Sequence, residues 1–102
     1  MAKASLSTHV LDTTTGRPAA GVRIALEQGG KSIASAATDA DGRIRELAQG
    51  LEPGQYRLVF DTRGYAPDAF FARVALDVDL ADGHTHVPLL LSRFGVTSYR
   101  GS

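Results

Sequence analysis

The chain has 102 residues, 43% hydrophobic and 22% charged, with 11 basic side chains against 11 acidic. That length supports one domain with a single modest core. Zero net charge without a basic, aromatic-rich run excludes a phosphate-dominated nucleic-acid partner and gives no electrostatic reason to bind an anionic membrane, while the lack of cysteine excludes disulfides and thiolate metal sites.

The first residues, Met1 to His9, contain no apolar leader segment, and no stretch approaches the roughly 18 apolar residues of a spanning helix. A soluble protein of the cytoplasm is expected, with residues 1–4 as a flexible N-terminus. From Ser5 to Leu11 the chain alternates, Leu6, Thr8 and Val10 against Ser7, His9 and Leu11, which predicts a strand. A turn cluster spans Asp12 to Pro18. Val22, Ile24 and Leu26 then alternate with Arg23, Ala25 and Glu27. Gln28-Gly29-Gly30-Lys31 signals a hairpin into a weaker strand, Ser32 to Thr38. The Asp39-Ala40-Asp41-Gly42 turn leads to a short strand over Arg43 to Leu47, and Gln49 to Gly54 punctuates again.

Gln55 to Asp61 is the clearest central strand, with Tyr56, Leu58 and Phe60 on one face. Gly64 and Pro67 keep any helix within Thr62 to Ala69 short. Strands are predicted at Arg73 to Asp79, His84 to Leu91 and Val96 to Arg100, and Pro88 implies a bulge or a non-bonded edge position. Short strands at regular spacing without helical periods between them predict an all-β sandwich.

All three histidines lie on predicted strands, and His84 and His86 share a face. Three-histidine zinc binding and acid–base work are both open to them, because imidazole ligates zinc and also titrates near neutrality. The bland reading is a half-polar outer face. Arg43, directly after a tight turn, has a fork suited to an anionic or carbonyl-rich ligand, or is an ordinary surface arginine. Ser102 offers a hydroxyl without the glycine-flanked elbow of a serine hydrolase. The residues alone name no substrate.

A resemblance does. Leu6-Ser-Thr-His9-Val-Leu-Asp12, Thr15-Gly-Arg-Pro18, Thr38-Asp-Ala-Asp-Gly-Arg43, Gly54-Gln-Tyr56, His86-Val-Pro-Leu-Leu-Leu-Ser92 and the final Tyr99-Arg-Gly-Ser102 stand in the order of the transthyretin-like proteins. The final tetrapeptide resembles that of their enzymatic branch, the 5-hydroxyisourate hydrolases. The resemblance covers Leu6 to Ser102. It implies a prealbumin-type sandwich of two antiparallel sheets with one short helix, and a homotetramer built as a dimer of dimers. It implies opening of the 5-hydroxyisourate ring to 2-oxo-4-hydroxy-4-carboxy-5-ureidoimidazoline in urate breakdown, with no metal or organic cofactor. Carried over residue by residue, His9, Arg43, His86 and Ser102 are the expected catalytic groups, and His9, Arg43, Tyr99 and Arg100 the expected substrate contacts. Arg45 competes with Arg43 for the anchoring role. Arg93-Phe94 and Val96 depart from the family pattern at the expected inter-dimer surface, as does His84-Thr-His86 on the histidine strand. The alternatives are a non-enzymatic carrier of transthyretin type and a structural partner of a urate-pathway enzyme, since one fold serves many functions.

Overall fold

The computed structural model describes residues 3–101. In chain order its elements are β1 (Ala4–Asp12), β2 (Arg17–Pro18), β3 (Arg23–Gln28), β4 (Lys31–Ala37), β5 (Arg43–Leu51), β6 (Gly54–Asp61), α1 (Thr62–Tyr65), β7 (Val74–Leu80), β8 (Gly83–Leu91) and β9 (Val96–Ser98). One sheet runs β2-β1-β8-β9 with β5 also paired to β1, and the other runs β4-β3-β6-β7. Alternation decides what lies between them. Leu6 and Val10 of β1, Ile24 and Leu26 of β3, Leu58 and Phe60 of β6 and Leu89 of β8 are each at most 1% exposed. Burial of each such side chain contributes about 1.5–3 kcal/mol. Thr8 shares the core face of β1 and is tolerated there because its hydroxyl donates to the Val87 carbonyl at 2.7 Å.

Sheet pairing is antiparallel as expected, with one exception. β1 and β8 run parallel, in unbroken register from Ala4 opposite Gly83 to Asp12 opposite Leu91. A tight turn forces antiparallel neighbours, but the whole second sheet lies between these two strands in sequence, so no turn constrains their direction.

Several boundaries moved. Ala4, assigned to the flexible start, begins β1 and is 1% exposed. β2 sits inside the expected turn cluster and pairs Leu11 with Pro18. β5 continues past Leu47 to Leu51, because register shifts against β1 absorb the extra residues that read as a break. α1 starts with the Asp61 carboxylate accepting from the Gly64 N–H at 3.0 Å and stops at an extended Ala66, the residue before Pro67.

Pro88 produces no bulge, and on the side of β8 facing β9 it takes the non-bonded position expected of it. β8 continues through it in register with β1, and the missing N–H leaves a gap in the ladder facing β9. The Pro88 carbonyl accepts from Ser98 Oγ at 2.8 Å, β9 ends there, and pairing resumes as an isolated bridge between Gly101 and His86. Tyr99 and Arg100 are thereby freed from the ladder.

Candidate active site

The parallel register gathers the chemistry. The face of β1 turned away from the core carries Ser5, Ser7 and His9, and the matching face of β8 carries His84 and His86. Register sets Ser5 beside His84 and Ser7 beside His86. Ser7 Oγ lies 2.7 Å from His86 Nδ1 and 2.8 Å from His84 Nε2, and Ser5 Oγ lies 2.7 Å from His84 Nδ1. His86 Nδ1 is therefore engaged, leaving Nε2 as the nitrogen available to a ligand. Both nitrogens of His84 are taken by hydroxyls. Among the described residues, no group of three His, Asp or Glu side chains is arranged to hold a metal ion.

On the other side of β1, β5 places Arg43 opposite His9. Arg45, two residues on, shares the face of Arg43, and both line a cleft with Ser7, Thr8, Ile44 and His86. His9 Nε2 is 3.1 Å from the Asp41 carbonyl. A carbonyl can only accept, so His9 carries its proton on Nε2, and in the neutral ring Nδ1 is the basic nitrogen.

The turn before β5 fixes where Arg43 starts. Asp39 Oδ1 accepts from the N–H groups of Asp41 at 2.9 Å and Arg43 at 3.0 Å. The Arg43 N–H bond is the main reason the Asp39 carboxyl sits below its ordinary 3.8, so the turn is locked by an ionised side chain at neutral pH. Gly42 has φ 75°, and a Cβ there would stand 2.5 Å from the Val10 carbonyl oxygen. Gly42→Ala is expected to cost about 1–3 kcal/mol through backbone strain, with the β1 carbonyl clash adding to it. A urea titration should show the midpoint falling with its slope unchanged.

The chain end reaches the same histidine. Gly101 N–H donates to the His86 carbonyl at 2.7 Å, and a Cβ on Gly101 would meet His86 Cδ2 at 2.9 Å. Only glycine lies that close over the ring without displacing it. Tyr99 and Arg100 are held elsewhere: they line a larger groove with Leu76, Asp77, Asp79 and Thr85, and that groove holds no histidine. Ser102 lies outside the described residues. Within one chain, then, His9, Arg43 and His86 share a face, while Tyr99 and Arg100 open onto another. Sequence reasoning missed Ser7, whose only prior signal was its place two residues from His9 on the polar face of β1.

Burial holds His86 below its ordinary 6.5, and the nearby charges of His9, Arg43 and His84 lower it further. Among the described residues no carboxylate offsets these causes. At neutral pH the ring is neutral, so its free nitrogen can accept a proton.

Comparison with known proteins adds independent findings. The model of the HIUase/Transthyretin family matches residues 6–101. The 5-hydroxyisourate hydrolase of Salmonella dublin is 41% identical over 109 residues, covering 95% of this chain and 80% of that protein. A uric acid degradation bifunctional protein of Arabidopsis thaliana is 40% identical over 119 residues, covering 95% of this chain, which spans 37% of the plant protein's length. Among solved structures, Klebsiella pneumoniae 5-hydroxyisourate hydrolase superposes with a TM-score of 0.92 at 36% identity, covering 97% of this chain and 99% of the other. Transthyretin from Sparus aurata superposes at 0.86 with 32% identity, covering 94% and 95%.

Proposed function

This chain belongs to the HIUase/Transthyretin family, and from that premise we propose that it is a 5-hydroxyisourate hydrolase, opening the ring to 2-oxo-4-hydroxy-4-carboxy-5-ureidoimidazoline in urate breakdown. The single observation that carries the reading is the outer face shared by His9, Arg43 and His86, with His86 Nε2 left available by the Ser7 contact. Hydrolysis of a cyclic acyl bond needs a water stripped of a proton, a cation for the developing oxyanion and a proton for the leaving nitrogen. His86 Nε2 takes the proton from water. Arg43 holds the anionic ring and the oxyanion, and His9 takes a proton from solvent on Nδ1 and gives it to the leaving nitrogen, while His86 returns its proton to solvent. Tyr99 and Arg100, supplied by a neighbouring copy, contact the substrate's carbonyls, and Ser102 is the fourth catalytic group.

The cleft on one chain, about 160 Å³, falls well short of the roughly 300–1,000 Å³ of ordinary ligand pockets. That shortfall supports a single transthyretin-like domain working as a homotetramer, a dimer of dimers whose copies complete each other's sites. Phe70 and Phe94, 64% and 70% exposed, are apolar surface suited to such contacts. A cysteine-free chain suits a reducing cytoplasm, and among the described residues no helix is long and apolar enough to cross a membrane.

The test follows the ultraviolet absorbance of freshly generated 5-hydroxyisourate. The full chain should speed its decay well beyond background, and a chain shortened by residues 99–102 should lose that acceleration. Binding of a thyroid hormone without any turnover would favour the carrier instead.

A further inference from the structure

Ser7 joins two imidazoles, and a hydroxyl has one hydrogen. It donates to only one ring at a time, so when it also accepts from the other, the protonation of the two rings is linked. We propose that Ser5, His84, Ser7 and His86 form a reversible proton relay, in which Ser7 and His84 are positioning residues that reset His86 between proton transfers. The inference rests on the hydrolase reading for its role in turnover, but the linkage itself belongs to the fold.

Two arrangements satisfy every contact. In the first, His86 Nδ1–H donates to Ser7 Oγ, Ser7 donates to His84 Nε2, and His84 Nδ1–H donates to Ser5 Oγ. His86 Nε2 then bears a lone pair and acts as a base. In the second, Ser5 donates to His84 Nδ1, His84 Nε2–H donates to Ser7, and Ser7 donates to His86 Nδ1, so that His86 Nε2 carries a proton and acts as an acid.

Passing from the first to the second takes one proton in at His86 Nε2 and moves one proton along each link. One leaves from Ser5 Oγ to water while His84 Nδ1 gives its own back to Ser5. The protons balance, and no ring stays cationic. That matters because, among the described residues, the groups facing His86 are His9, Arg43, Arg45 and His84, all cationic or able to become so, and none of them is a carboxylate that would neutralise an imidazolium. Geometry permits the exit: Ser7 is 7% exposed, whereas Ser5 is half-buried and His84 open to solvent.

The test uses the full chain and two readouts. In substrate-free protein labelled with ¹⁵N, His84→Phe, which removes both relay nitrogens from an exposed position, should change the tautomer balance of His86 although the two rings meet only through Ser7. Ser7→Ala should change it too, and Ser7→Thr, which keeps a hydroxyl, should restore it. In turnover, His84→Phe should lower kcat at least about tenfold with KM unchanged, less than the roughly 10²–10⁴-fold of a group that transfers the proton itself. The wild-type proton inventory in mixed H₂O and D₂O should bow, and that of His84→Phe should be straight. Unchanged His86 nitrogen shifts or unchanged kcat in His84→Phe would overturn the relay while leaving the hydrolase reading standing. If the wild type shows no turnover, the hydrolase reading fails and the nitrogen shifts alone decide the relay.

Discussion

His86→Asn is expected to lower kcat on 5-hydroxyisourate by about 10²–10⁴-fold, with the thermal midpoint near neutral pH changed little. The asparagine amide can still meet Ser7 Oγ, so the loss reports proton transfer rather than a broken strand contact. The pH profile makes the assignment specific. Burial first, and then the charges of His9, Arg43 and His84, hold His86 below 6.5. The base is therefore active down to a lower pH than an ordinary histidine allows, and the acid limb of kcat/KM should fall below 6.5. A histidine braced by a carboxylate would shift the other way. Stability follows the same sign. Below 6.5 the unfolded chain binds a proton that the folded chain refuses, so stability declines as pH drops from 6.5 toward the folded value. His86→Asn should flatten that decline, which titration of the urea midpoint against pH would show. Near-normal turnover by His86→Asn would remove His86 from the mechanism.

The sandwich was legible because its strands obey a period of two. β1, β3, β6 and β7 announce themselves by alternating apolar residues, and those residues are the ones that meet in the core. β2 was illegible for the same reason: two residues, one of them Pro18, have no period. Long-range pairing is harder still. Nothing local in Ser5-Leu6-Ser7 or His84-Thr85-His86 specifies that these segments lie side by side and parallel. The choice is made by hydrophobic faces that bury together across the whole chain. Ser7 became interesting only once that register put it between two histidines. The final tetrapeptide shows the converse. Its residues are adjacent in sequence, yet the gap at Pro88 separates them, with Tyr99 and Arg100 opening onto one groove and Gly101 returning to His86.

Arg43 and Arg45 both reach the cleft, so spacing cannot choose between them, but electrostatics can. Both guanidinia line the cleft with His86, but only Arg43 is close enough to figure among the main charges that lower it, so Arg45 acts more weakly. Arg43 also stands opposite His9 and has its own N–H fixed by Asp39. We therefore expect Arg43→Gln to lower kcat/KM by about 10²–10³-fold, the usual loss when a group aimed at a developing oxyanion is removed. Part of the loss should appear as a higher KM, because the same guanidinium holds the anionic substrate before reaction. Removing a positive neighbour makes His86 easier to protonate, so the acid limb of kcat/KM should move up toward 6.5 without reaching it, since burial, the larger cause, remains. Arg45→Gln should move that limb less and cost far less. A pH–rate series on the two variants separates the roles, and an acid limb that moves with Arg45 but not Arg43 would exchange them. The anchor and the base are then one electrostatic unit, in which the cation that grips the substrate adds to the burial that keeps the neighbouring imidazole neutral.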